Sequence, residues 1–282
     1  MSILLEELLR AEGITSYGAM AVSDCRVLKP YLLERNGLDG GATAVFMILP
    51  YHNGTVPENV SVYASVLDYH AYFEGLYRRL SERLTAAYPG YRFVGFTDHS
   101  PVDEVNGAAR CGLGLIGDNG LLIHPVYSSF VYVAELLTDA PPALLGLSVA
   151  EPRPVQECLH CGACERACPS GCIGEGGSKG ECMSALTQKK GDLTPEEERR
   201  LVALGSAWGC DVCQNVCPYT KRAVATGAIR TSIPYFLRDT VTRLTTDYIN
   251  GLTEAEFSAR PFAWRGKAPI LRNLALLERK EK

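Results

Sequence analysis

No stretch of the chain approaches the ~20 consecutive apolar residues that a membrane-spanning helix needs, so no membrane segment is expected. Low-complexity tracts are absent, and nothing repeats internally apart from two short cysteine runs. Neither sign of charge dominates: the net charge of −4 argues by itself neither for nor against a nucleic-acid partner. The opening residues Met1 to Arg10 place Glu6 and Glu7 ahead of any basic residue and have periodic leucines. They read as an amphipathic helix and not as a signal peptide, and a cytoplasmic location is expected. What is present is apolar residues at 46% of 282, ample for one large packed domain and a smaller one.

Eleven cysteines occur, eight of them in metal-ligand spacing, which points to a reducing compartment and not to a disulfide framework. They read Cys158-x2-Cys161-x2-Cys164-x3-Cys168-Pro169, then Cys182, then Cys210-x2-Cys213-x3-Cys217-Pro218. In the bacterial ferredoxin run, three close thiolates hold one [4Fe–4S] cube and the cysteine before proline ligates the other. Cys158, Cys161, Cys164 and Cys217 are therefore assigned to cluster one, and Cys168, Cys182, Cys210 and Cys213 to cluster two. The second run lacks its third cysteine, so cluster two takes a ligand from elsewhere. Cys182 is the choice on spacing, with Cys172 as its rival. Structural zinc also uses Cys-x2-Cys pairs, but needs neither the triple run nor the paired Cys-Pro ends. Cys25 and Cys111 stand alone and read as small buried apolar residues.

The fold expected is α+β, an N-terminal sandwich of helices and sheet followed by a ferredoxin-like module. The proposed divisions are 1–150, 151–225 and a basic C-terminal segment, 226–282, with the proline-rich stretch from Pro141 to Pro154 as linker. Helices are predicted over residues 2–12, with Ile3, Leu4, Leu5, Leu8 and Leu9 forming the apolar face, and over 62–88, where apolar residues recur every three or four positions. A third should run from Pro101 to Cys111, capped by Ser100, and a fourth from Pro195 behind a capping box at Thr194. Strands are predicted over 16–22, 42–49, 91–96, 120–124 and 130–137, with a short connection over 24–41. The glycines Gly112-x-Gly114-x2-Gly117 match a dinucleotide-binding pattern, but they follow a predicted helix and lead into a strand, the reverse of what that site needs.

Four stretches resemble the epoxyqueuosine reductases, cobalamin and iron–sulfur enzymes of tRNA modification. They are Tyr63-Ala64-x3-Asp68-Tyr69-His70; Thr97-Asp98-x-Ser100-Pro101-Val102 with the glycines to Gly117; Ser129-Phe130-x4-Glu135-Leu-Leu-Thr-Asp139; and the cysteine module, with Cys182-Met-Ser184 and Gly209-Cys-Asp-x-Cys-Gln214. Leu271-Arg272-Asn273 fits as well. The resemblance implies a cobalamin-binding domain fed with electrons by two [4Fe–4S] clusters, Asp98 as general acid, and Asp98, Asn119, Ser129 and Ser184 as cofactor contacts. Partners it implies are tRNA and a low-potential electron donor. An alternative is an electron-transfer protein or corrinoid reductase serving a partner without a tRNA substrate.

The chain departs from that pattern in places. Asp118 precedes Asn119 where the family usually has lysine, Val62 and Leu67 stand where arginines flank the first motif, the loop after Val22 is short, and the helical repeats of longer members are missing. Residues 218–282 nevertheless carry twelve Lys/Arg against six Asp/Glu. This basic segment, with Arg265, Lys267 and Arg272 near its end, is the expected contact for a polyanion.

Overall fold

The computed structural model describes residues 5–149 and 151–280, so Ile3 and Leu4 of the expected first helix lie outside the described residues. The chain separates into two compact units, Met1–Pro50 with His70–Leu159, and Tyr51–Tyr69 with His160–Lys282. The α+β class expected from the sequence is the class observed.

The first unit runs α1 (Leu5–Ala11), β1 (Tyr17–Ala21), α2 (Pro30–Arg35), β2 (Thr43–Pro50), α3 (Tyr69–Ala87), β3 (Phe93–Phe96), α4 (Glu104–Arg110), β4 (Leu115–Ile116), β5 (Leu122–Ile123) and β6 (Val131–Thr138). Its sheet is antiparallel in the order β1-β2-β6-β3, with Tyr17 opposite Met47, and Thr43 and Phe93 both opposite Thr138. Every residue of β2 is buried, because this strand is central and covered on both faces. One face of the sheet carries Met20, Ala44, Phe46, Ile48 and Leu137, packed with Ala108 and Ala109 of α4. The helix approaches closely because Gly107 has no side chain: a Cβ there would lie 2.2 Å from the Phe46 ring. α3 buries Tyr72, Phe73, Leu76, Leu80 and Leu84, with Phe73 edge-on to Tyr132 at 5.8 Å.

The second unit is built from short helices: α5 (Ala163–Ala167), α6 (Met183–Thr187), α7 (Pro195–Leu204), α8 (Val212–Asn215), α9 (Pro218–Ala225), α10 (Thr246–Gly251), α11 (Glu254–Ser258) and α12 (Lys267–Lys280). Trp208, Phe257, Phe262, Ile270 and Leu274 form its main core, and Met183, Leu186, Leu193 and Leu201 a smaller one. Trp208 is fully buried yet satisfied, since its indole N–H donates to Tyr63 Oη at 3.0 Å.

Three local expectations are corrected. The helix expected over 62–88 is interrupted: Val62–Ser65 is a 3-10 turn and Val66 is extended, so α3 begins only at Tyr69. The backbone of the lost turns bonds elsewhere, Val62 N–H to an Asp211 carboxylate oxygen at 2.7 Å and Asp68 N–H to Ala259 O at 3.0 Å. The connection over 24–41 contains α2, opened by Pro30. The helix expected from Pro101 starts at Glu104, capped by Asp103, whose carboxylate accepts Asn106 N–H at 3.0 Å.

Candidate functional site

The cysteine module is shaped by its backbone. His160 (φ +48°) and Gly162 (φ +67°) take left-handed conformations that coil the chain tightly around Cys161, ahead of Cys164 in α5. Cys168 caps the C-terminus of α5 and Cys217 precedes Pro218, the first residue of α9. Cys182 caps α6, and Cys210 and Cys213 flank the start of α8. Cys158 lies at the end of the first unit's segment, one residue before Leu159. Cys161 is exposed and the others are half-buried.

Electrostatics differ between these thiols. Burial raises the Cys168 thiol, but hydrogen bonds from Ser170 and Cys172 outweigh it and bring the group down to about 7. Burial pushes Cys210 up to about 11, with the charges of Cys182, Asp211 and Cys168 adding to it. Asp211, between Cys210 and the Val62 amide, is raised to about 6 by burial, against the hydrogen bonds it accepts from Val62 and Gln214.

Asp98 stands in the first unit just after β3, at φ +58°, a conformation that Asp tolerates better than most residues. Its Oδ2 lies 3.2 Å from His70 Nε2 of α3, and both side chains are at least half exposed. Asp98 therefore does not cap the following helix. It presents a carboxyl group paired with an imidazole, an arrangement able to hold and pass a proton. The next residue, His99, has Lys29 Nζ at 3.1 Å from its Nδ1 and Tyr31 Oη at 3.0 Å from its Nε2.

The Asp98 loop is anchored from below. Ser100 Oγ donates to Glu135 Oε2 at 2.6 Å and accepts Val102 N–H at 3.0 Å, which is why it does not serve as the expected helix cap. Glu135 is fully buried and held well above the carboxylate range, by burial first and then by the charge of Glu104. Glu104 is raised to about 8 by burial, and next by the Asp98 charge. Each has a buried Oε1 without a hydrogen-bond partner. Sequence reasoning quoted Glu135 inside a motif but missed this acid pair, because only the fold brings α4 to β6.

Asn119 closes the turn between β4 and β5: its Oδ1 accepts Leu121 N–H at 3.3 Å, leaving its amide Nδ2 as a donor. Ser129 is buried beside Ser128, which has φ +54°. Ser184, in α6, is half-buried and its Oγ receives Gln188 Nε2 at 3.3 Å. Asp118 is exposed.

The terminal motif has a structural role. Asn273 is fully buried in α12 and donates to Thr187 O at 2.7 Å and Ala207 O at 2.9 Å. Arg272 donates to Lys189 O at 2.8 Å and to Gly191 O. Of the three cations expected to meet a polyanion, Arg272 is thus committed to folding the module. Arg265 stacks on Trp264 at 3.8 Å, and Lys267 lies over Phe257 at 5.1 Å.

The thiol set and the short helices that carry it define an iron–sulfur protein of the double-cluster class. Residues 157–220 match the 4Fe-4S double cluster binding domain family. The chain is 33% identical over 216 residues to the epoxyqueuosine reductase of Listeria monocytogenes, covering 75% of this chain and 54% of that protein. It is 32% identical over 202 residues to that of Gloeobacter violaceus, covering 70% and 61%. The structure of the epoxyqueuosine reductase from Streptococcus thermophilus superposes with TM-score 0.74 at 22% identity, over 97% of this chain and 79% of that one. A catabolic reductive dehalogenase shares the fold more distantly, with TM-score 0.51 at 15% identity over 82% of this chain and 34% of that one. The chain is similar to the epoxyqueuosine reductases over about three quarters of its length, and it spans little more than half the length of the curated relatives it matches.

Proposed function

We propose that this protein is a cobalamin-dependent reductase of the epoxyqueuosine reductase type, taking electrons from two [4Fe–4S] clusters to remove an epoxide oxygen. The observation that carries the reading is the Asp98 carboxyl held beside His70 at 3.2 Å, in a chain that also bears the double-cluster domain.

The residues suit both groups. Nine cysteines run from Cys158 to Cys217, enough soft thiolate donors for two cubes. In the first unit the Asn119 amide, the Ser129 hydroxyl and the Asp98 carboxyl suit the amide-rich rim of a corrin, and Ser184 of the second unit offers a hydroxyl of the same kind. Cobalamin, when bound, supplies the reducing organometallic chemistry, and the clusters supply single electrons. Asp98 holds a proton at its carboxyl oxygen and delivers it to the substrate, and His70 keeps the carboxyl oriented and returns a proton to it. Overall, two electrons and two protons convert the epoxide to an alkene and water.

The favoured substrate is epoxyqueuosine in tRNA, drawn by the basic segment 218–282; an epoxyqueuosine reductase of this fold has been crystallised with an epoxyqueuosine-modified tRNA-Tyr stem loop. A low-potential donor must reduce the clusters. The test is anaerobic reconstitution with iron, sulfide and cobalamin, followed by turnover of an epoxyqueuosine-bearing stem loop. Wild type should retain corrinoid and form the alkene, and Asp98→Asn should keep both cofactors but lose turnover at least a hundredfold. A chain that takes up both clusters yet never retains corrinoid would overturn the reading in favour of an electron carrier.

A further inference from the structure

The function described uses eight thiols, and the module has nine. Cys172 follows Cys168 in the turn Cys168-Pro169-Ser170-Gly171-Cys172, closed by Gly171 N–H bonding to Cys168 O at 3.1 Å with Gly171 at φ +65°. The turn brings Cys172 Sγ to 3.6 Å from Cys168 Sγ, sulfur-to-sulfur contact. The segment beyond packs back onto it: a Cβ on Gly177 would lie 2.3 Å from the Cys172 carbonyl oxygen.

That distance decides what Cys172 can be. Thiolates of a [4Fe–4S] cube bind four separate irons, one at each corner, and their sulfurs diverge. Two sulfurs in contact cannot serve two corners; they address the same iron, and one occupies it at a time. Cys172 is therefore poorly placed to act beside Cys168 as a second corner of cluster two, and well placed to replace it. We infer that Cys172 is a reserve ligand of cluster two, a thiol poised to take the Cys168 corner when that thiolate is lost. The inference rests on reading Cys168, Cys182, Cys210 and Cys213 as the ligands of that cluster.

The test counts iron in anaerobically reconstituted full-length chains and maps free thiols by alkylation and mass spectrometry. Wild type, Cys172→Ala and Cys168→Ala should each hold about eight irons, and the Cys168→Ala/Cys172→Ala double variant about four. Cys172 should be alkylated in wild type and protected in Cys168→Ala. Should Cys168→Ala not fold by circular dichroism, Cys168→Val, which fills the space and has no donor atom for iron, takes its place. Protection of Cys172 there supports the inference, and alkylation sinks it. A folded Cys168→Ala chain with about four irons overturns it, as does loss of irons in Cys172→Ala alone or a double variant that still holds eight. Cys210→Ala separates the premise: if it keeps all its irons, the ligand assignment itself is wrong.

Discussion

Glu135, buried in the middle of β6, accepts the Ser100 hydroxyl at 2.6 Å, and this bond ties the loop bearing Asp98 to the centre of the sheet. Ser100→Ala removes it and leaves a buried acid with no partner from the loop. A loss of about 1–3 kcal/mol is expected in urea unfolding, together with reduced turnover at unchanged iron content. Equal turnover in the variant would show that the bond plays no part in placing Asp98.

Glu104 gives a pH signature. Its folded pKa, about 8, is raised above the model-peptide value of ~4.3, so the folded state binds the proton more tightly. Its contribution to stability is full below pH ~4.3 and is lost as pH rises through about 8. Glu104→Gln should flatten that decline and unfold at higher urea than wild type at pH 8. A pH dependence identical in both proteins would contradict the burial assigned to this carboxyl.

His124 has the opposite sign. Burial depresses it to about 4, its Nδ1 accepts Val126 and Tyr127 N–H at 3.2 and 3.3 Å, and Nε2 therefore carries the hydrogen facing Ser16 Oγ at 3.0 Å. The unfolded chain takes up the proton first, so stability is lost as pH falls from ~6.5 towards about 4. Ser16→Ala should cost about 1 kcal/mol or more at pH 7, and His124→Gln should reduce the acid sensitivity in that window.

Thr194 and Glu197 form the reciprocal capping box expected at the start of α7. Thr194→Ala should lower stability by about 1 kcal/mol with cluster content unchanged, as read by denaturant midpoint and iron analysis.

Trp264 is 58% exposed with the Arg265 guanidinium stacked on it, a surface suited to a nucleobase and its phosphate. Trp264→Ala with Arg265→Gln should weaken stem-loop binding about tenfold or more and reduce the salt slope by about one. Unchanged binding would move the RNA contact elsewhere. Arg272→Gln, by contrast, should destabilise the module, because its bonds go to Lys189 and Gly191 carbonyls.

Part of the fold was legible and part was not, for identifiable reasons. Strands β1, β2, β3 and β6 were readable because apolar runs between glycines and prolines are local signals. α12 is not predicted although Ile270, Leu274 and Leu277 recur at helical spacing, because Pro269 falls in its first turn and breaks the local helix signal. The periodicity of 62–88 misled because Val62 and Ala64 are buried in one unit and Phe73 and Leu76 in the other, so one apolar stripe serves two structures.

From sequence alone came the chemistry with short-range grammar: the cysteine spacing, the capping box, the Asp98 motif and the absence of any membrane-length apolar run. Tertiary structure decided what depends on distant chain segments meeting. It set His70 against Asp98, buried Glu135 and half-buried Glu104, and diverted Arg272 and Asn273 into folding. The physical reason is that ligand spacing and caps are fixed by neighbouring residues, whereas desolvation and pairing depend on which surfaces the packed core brings together.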